Sequence, residues 1–86
     1  MSLRLHPDLT TADTDYGTVL LDQRDGRYWQ LNPSAALIVR ILARGGDRTE
    51  AVDALLEQFD VAAERARQDV SCLVDELTSA GLAVDQ

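Results

Sequence analysis

Eighty-six residues, 45% of them hydrophobic, carry a net charge of −7, which allows one compact domain and excludes both a disordered chain and two separate cores. The acidic balance repels phosphate backbones and anionic lipid surfaces, so nucleic acid and membrane are poor partners and a surface with exposed Lys or Arg is a good one. Cys72 is the single cysteine, which excludes an internal disulfide and suits a reducing cytoplasm.

No basic-then-apolar signal pattern opens the chain and no apolar run approaches a membrane span, so a soluble, cytoplasmic protein is expected, with residues 1–86 as one domain. All eight basic residues are Arg, a composition in keeping with a GC-rich bacterial genome.

In chain order, Leu3 and Leu5, with His6 beside them, alternate as a short strand that Pro7 ends. Asp8 to Asp15 is polar and turn-rich and reads as a loop. Thr18 to Leu21 and Tyr28 to Leu31 read as two strands joined by a hairpin at Asp25-Gly26. Two registers are open. A two-residue loop sets Leu20 opposite Leu31 and Asp22 opposite Trp29, whereas a three-residue loop sets Val19 opposite Leu31 and Leu21 opposite Trp29. The second gathers four apolar side chains on one face and is preferred, because hydrophobic patterning sets register.

Asn32-Pro33 has the form of a helix start, a capping side chain followed by a ring suited to the first turn. The first helix is expected to run to about Arg44 on an apolar face of Ala36, Leu37, Val39, Ile41 and Leu42, stopped by Gly45-Gly46. Asp47 with Glu50 caps a second helix reaching about Phe59, with Ala51, Val52, Leu55, Leu56 and Phe59 as its stripe. A third runs from about Ala62 to Ala80 on Ala66, Val70, Leu73, Val74 and Leu77, with Gly81 after it and a short strand or tail from Leu82 to Val84. Three short strands cannot bury a face alone, so they must pack on the helices. The expected fold is α+β and winged-helix-like: a three-stranded antiparallel sheet followed by three helices.

Catalytic and metal chemistry find little footing. His6 and Cys72 are the only His and Cys, metal spacings such as C-x-x-C are absent, and no Gly-rich loop has phosphate-binding spacing. Cys72 falls mid-helix beside an apolar stripe, and Glu64, Asp69, Asp75 and Glu76 read as a solvated face, with Arg65 four residues before Asp69 as a helix pair. The chain is therefore expected to be no enzyme and to need no cofactor and no metal. A winged-helix DNA binder would need a basic recognition helix, and these helices carry at least as many acids as bases. An acyl carrier would need a serine in an Asp-Ser-Leu context, which Ser34, Ser71 and Ser79 lack.

The strand from Tyr28 to Leu31 holds neither charge nor Pro, the usual guards of an open sheet edge. An extended peptide could add to it as a further strand. Four or five backbone hydrogen bonds at about 1 kcal/mol each fall short of the roughly 8 kcal/mol of micromolar binding, so side-chain pockets must supply the rest. The natural wall is the Val70–Val74–Leu77 side of the third helix, although periodicity by itself favours ordinary core packing for all of these residues.

"GTVLLDQRDGRYWQLNPSAALIVRIL" resembles the signature of the PqqD-like family, the recognition elements of ribosomally made and modified peptides, and "FDVAAERARQDVSCLVDELTSAGL" is similar to that family's last helix. The small stand-alone size and the "YWQLNPSAALI" wording resemble the recognition protein of actinobacterial lasso-peptide pathways. Two features depart from the pattern: Ala62-Ala63 replaces a helix-starting Asp-Pro, and Val39 replaces a Trp.

The resemblance implies a protein that binds the leader of a precursor peptide between the third strand and the third helix, then presents it to a separate leader peptidase and a cyclase. Carried over by position, the edge is Arg27, Tyr28, Trp29, Gln30 and Leu31, and the helix wall is Val70, Leu73, Val74 and Leu77. Arg67 and Asp69 stand ready for polar leader groups. Trp29 and Leu31 form the floor in one register and Tyr28 in the other, so which aromatic faces the peptide stays open. On this reading Val74→Asp weakens binding without unfolding the domain. The alternatives are a recognition module of a radical or cyclodehydratase peptide pathway and a winged-helix DNA-binding regulator.

Overall fold

The computed structural model describes residues 3–85; residues 1, 2 and 86 of the expected domain lie outside the described residues. Strands β1 (Leu3–Leu5), β2 (Leu9–Thr14), β3 (Gly17–Asp22) and β4 (Tyr28–Leu31) precede helices α1 (Pro33–Ala43), α2 (Arg48–Gln58) and α3 (Ala63–Ser79), and β5 (Ala83–Asp85) follows them. The α+β architecture is as expected, a three-stranded antiparallel sheet followed by three helices. Its membership is not. The sheet order is β2-β3-β4, and β1 instead pairs with β5 in a separate two-stranded ribbon.

The segment read as a loop, Asp8 to Asp15, thus contains a six-residue strand. Its sequence LTTADT has almost no apolar alternation because β2 is an outer strand whose residues past Thr10 are solvent-exposed. Backbone pairing with β3, from Leu9↔Asp22 to Thr14↔Gly17, holds it in place. His6 lies outside β1, and its N–H donates to the Leu82 carbonyl at 2.8 Å.

The β3–β4 register is neither of the two considered. Leu20 faces Trp29, Leu21 faces Tyr28 and Thr18 faces Leu31, across a four-residue turn, Gln23 to Gly26. The reason is Asp22. It points inward with no exposed side-chain surface, and Arg24 grips it with Nε at 2.9 Å and Nη2 at 2.8 Å. Apolar patterning alone cannot foresee a core-facing acid, since burial of a charge is tolerable only with such a partner. Gly26 closes the turn with φ +76°, a conformation open chiefly to glycine.

The helix caps follow the sequence reading. Asn32 accepts from the Ala35 N–H at 2.8 Å and Asp47 from the Glu50 N–H at 2.8 Å. At the end of α3, Gly81 (φ +76°) lets its N–H reach the Thr78 carbonyl and the Leu82 N–H reach the Leu77 carbonyl. That geometry turns Leu82 back into the core. The core gathers Leu20 and Leu31 from the sheet, Ile38, Val39 and Leu42 from α1, Ala51 and Leu55 from α2, and Ala66, Val70, Val74 and Leu77 from α3. A second polar tie, Arg40 to Asp13 at 2.9 Å and to Thr18 at 3.2 Å, fastens the β2–β3 hairpin to α1.

Candidate functional site

Strand β4 is an edge strand, and its free side lies across a gap from α3: β4 packs on β3 and α1, and α3 packs on α1, α2 and β5. The backbone pattern shows what the edge offers. The Asp22 N–H donates to the Arg27 carbonyl, so Asp22 and Arg27 close the ladder at a hydrogen-bonded position, while the Arg27 N–H turns to Asp25 Oδ1. Alternation along an antiparallel ladder then directs Trp29 and Leu31 toward β3, and leaves the N–H and C=O of Tyr28 and Gln30 pointing out of the sheet.

Side chains alternate the other way. Trp29 is half-buried on the helix side, opposite Leu20, whereas Tyr28 is 69% exposed on the outer face beside Leu21. The aromatic that faces the groove is therefore Trp29. Arg27 stacks over its ring, 5.2 Å from the centroid. The outer face, made by Thr10, Ala12, Val19, Leu21, Tyr28 and Gln30, has no charged residue.

Two adjoining cavities fill the gap between β4, the start of α1 and α3. One, of about 230 Å³, is enclosed by Trp29, Leu31, Leu73, Leu77 and Leu82; the other, of about 290 Å³, by Ala35, Ile38, Arg65, Asp69 and Cys72. Asn32, Ala35, Leu73 and Glu76 line both, so they form one groove. A larger cavity, about 700 Å³, lies on the other face of α1 between the β2–β3 turn and the end of α2. It includes no residue of α3, so a strand added to the free edge of β4 would not run along it.

Of the residues singled out in the sequence, Trp29, Gln30, Leu31, Asp69, Leu73 and Leu77 come together at this groove, with the Tyr28 backbone on its edge. Arg27 borders it through the Trp29 ring. Val70 and Val74 do not reach it: both are core residues, 2% and 1% exposed. Arg67 lies on the opposite side of α3, in a cavity against Arg48, Val52 and Leu56 of α2. The wall is instead the row Arg65, Asp69, Cys72, Glu76, with Leu73 beside it. The spacing i, i+4, i+7, i+11 puts these on one face of a helix, and that was the available signal. Its polar composition made it look like a solvated face.

The Asp22–Arg24 pair lies in the turn that leads into β4. Arg24 Nη2 also donates to the Gly81 carbonyl at 3.3 Å, which links the β3–β4 turn to the end of α3. Hydrogen bonds from the Arg24 side chain, opposed in part by burial, hold the Asp22 carboxyl down at about 2 from an ordinary 3.8. A carboxyl lowered on folding stabilises the native state above its unfolded pKa, and that stabilisation is lost as pH falls through the folded value. Denaturant titrations should therefore show stability dropping between about pH 4 and pH 2, and Asp22→Asn should remove that component of the drop. An unchanged acid profile in the variant would mean that other carboxylates govern it.

Among the described residues no group of three or more His, Cys, Asp or Glu is placed to hold a metal ion, and no helix is long and apolar enough to cross a membrane. No curated protein matches the chain. Residues 17–83 match the family model of coenzyme PQQ synthesis protein D (PqqD). Among solved structures, a lasso peptide synthetase B1 complexed with the leader peptide is 41% identical, with 99% of this chain and 100% of that chain covered and a TM-score of 0.84. TbiB1 in complex with the TbiA(beta) leader peptide is 23% identical over 96% of each chain with a TM-score of 0.83, a likeness of fold. The matched span holds β3, β4 and all three helices, hence every element that builds the groove, and the chain belongs to the PqqD family.

Proposed function

We propose that this chain binds the leader segment of a lasso-type precursor peptide as an added strand on β4, with its side chains in the groove against α3. One observation carries the reading: an unguarded strand edge runs beside a paired cavity in a chain 41% identical to a lasso peptide synthetase B1 solved with its leader. The protein acts without catalysis and presents the bound precursor to a separate leader peptidase and cyclase. A peptide strand keeps every second side chain on the uncharged outer face beside Tyr28, and that side stays open to those enzymes.

The energetics require both edge and groove. Tyr28 and Gln30 offer four outward backbone groups, worth about 4 kcal/mol at a net 1 kcal/mol each. Micromolar affinity takes about 8 kcal/mol, and ordering a flexible peptide costs roughly 2–5 more. The groove must then contribute about 6–9 kcal/mol, which corresponds to roughly 250–350 Å² of apolar burial. Two or three large side chains suffice, in keeping with a two-chambered groove.

The test uses the synthetic leader of the precursor gene adjacent to this chain's own. Saturable binding should change the emission of Trp29, the only indole, and should slow alkylation of Cys72, the only thiol, which lines the groove. A leader that neither shifts the emission nor protects the thiol overturns the reading.

A further inference from the structure

We propose that Glu76 selects the peptide, by pairing with a Lys or Arg on the groove-facing side of the added strand. The inference rests on the peptide-binding reading and narrows its ligand to a class: extended peptides with a basic residue flanked by apolar ones. Glu76 lines both chambers, so any strand lying along the groove passes its carboxylate.

Its neighbours leave that carboxylate uncommitted. Arg65, the one cation among the described residues that line the chambers, is bonded to Asp69 at 3.2 Å. Arg24 and Arg27, which line neither chamber, are held by Asp22 and Asp25. The Glu76 backbone carbonyl accepts from the Ala80 N–H, but its carboxylate makes no hydrogen bond or ion pair with any described residue. With Arg65, Asp69 and Glu76 as its charged lining, the groove is left one negative charge in excess.

A second observation is independent of the cavities. Glu76 stands three residues before Ser79, the last of α3, whose final turn has no basic residue. The carbonyl end of a helix disfavours an acid. The residue is thus placed against the preference of its own helix, and a cation brought by the ligand would relieve both the helix end and the groove. The surrounding Leu73, Leu77, Leu82 and Trp29 would be covered by the peptide, which raises the strength of the pair above that of an exposed one.

The experiment scans the synthetic leader with single Lys, Gln and Glu substitutions and measures affinity for the native protein and for Glu76→Lys. At one or two alternating positions, Lys should bind about tenfold more tightly than Glu, and the gap should narrow in high salt. Glu76→Lys should invert that preference at the same positions. The variant is expected to fold at least as well as the native domain, since a cation suits a helix C-terminus. If the leader binds but no position prefers a basic residue, or if Glu76→Lys leaves the preference unchanged, the assignment of Glu76 is wrong and peptide binding stands. If the leader does not bind at all, the peptide-binding reading fails and takes this inference with it.

Discussion

Leu73→Asp is expected to leave a folded domain that has lost its peptide affinity by roughly 30- to 150-fold, or about 2–3 kcal/mol. Leu73 is half-buried and lines both chambers of the groove. In the free protein an aspartate there keeps much of its hydration, so the stability cost should stay near about 1 kcal/mol. Under a bound peptide the same carboxylate is covered beside Glu76 and Asp69, with Arg65 already held by Asp69 and any ligand cation taken by Glu76. Titration of the leader against the variant, with circular dichroism to verify folding, measures both effects. Leu73→Ala reads the same wall if the aspartate proves too costly to fold. Native affinity in both variants would mean that the peptide does not lie against α3.

Val74→Asp, one residue further, should behave in the opposite way. Val74 is 1% exposed and packs in the core. The sequence-based expectation that an aspartate here weakens binding without unfolding the domain is therefore withdrawn. An unpaired charge at such a site costs about 3–5 kcal/mol. A chain of this length has roughly 4–13 kcal/mol of stability to lose. The variant should unfold at a much lower denaturant concentration or fail to fold, and whatever binding it loses should follow the folded fraction. A cooperative, near-native transition would show that the α3 core face can yield to admit a ligand. The contrast between adjacent residues is the sharpest experimental distinction between wall and core.

That distinction marks how far the chain could be read without coordinates. The helices were legible because their signals are local: Asn32-Pro33 and Asp47 at N-termini, Gly45-Gly46 and Gly81 at C-termini, and stripes at a period of 3.6. The edge from Tyr28 to Leu31 was legible as an uncharged strand set between a Gly turn and a capped helix. Three things were not. Strand β2 exists through backbone pairing with β3, which leaves little mark on its side chains. The β3–β4 register depends on Asp22 being gripped by Arg24, a contact that reverses the usual meaning of an acid in a strand.

The groove wall depends on how α3 is rotated against α1 and β4. Leu73 and Val74 are equally apolar in sequence, and Asp69, Cys72 and Glu76 look like any solvated face. Sequence by itself determined the three helices in order, the β3–β4 hairpin before them, the caps and the family resemblance, because each rests on neighbours along the chain or on residue wording. Only the tertiary structure decided which strand lies at the edge, that Trp29 and not Tyr28 turns toward α3, and which helical row stands exposed across the gap. Those outcomes belong to pairing and packing between segments far apart in sequence, whose energies no local pattern records.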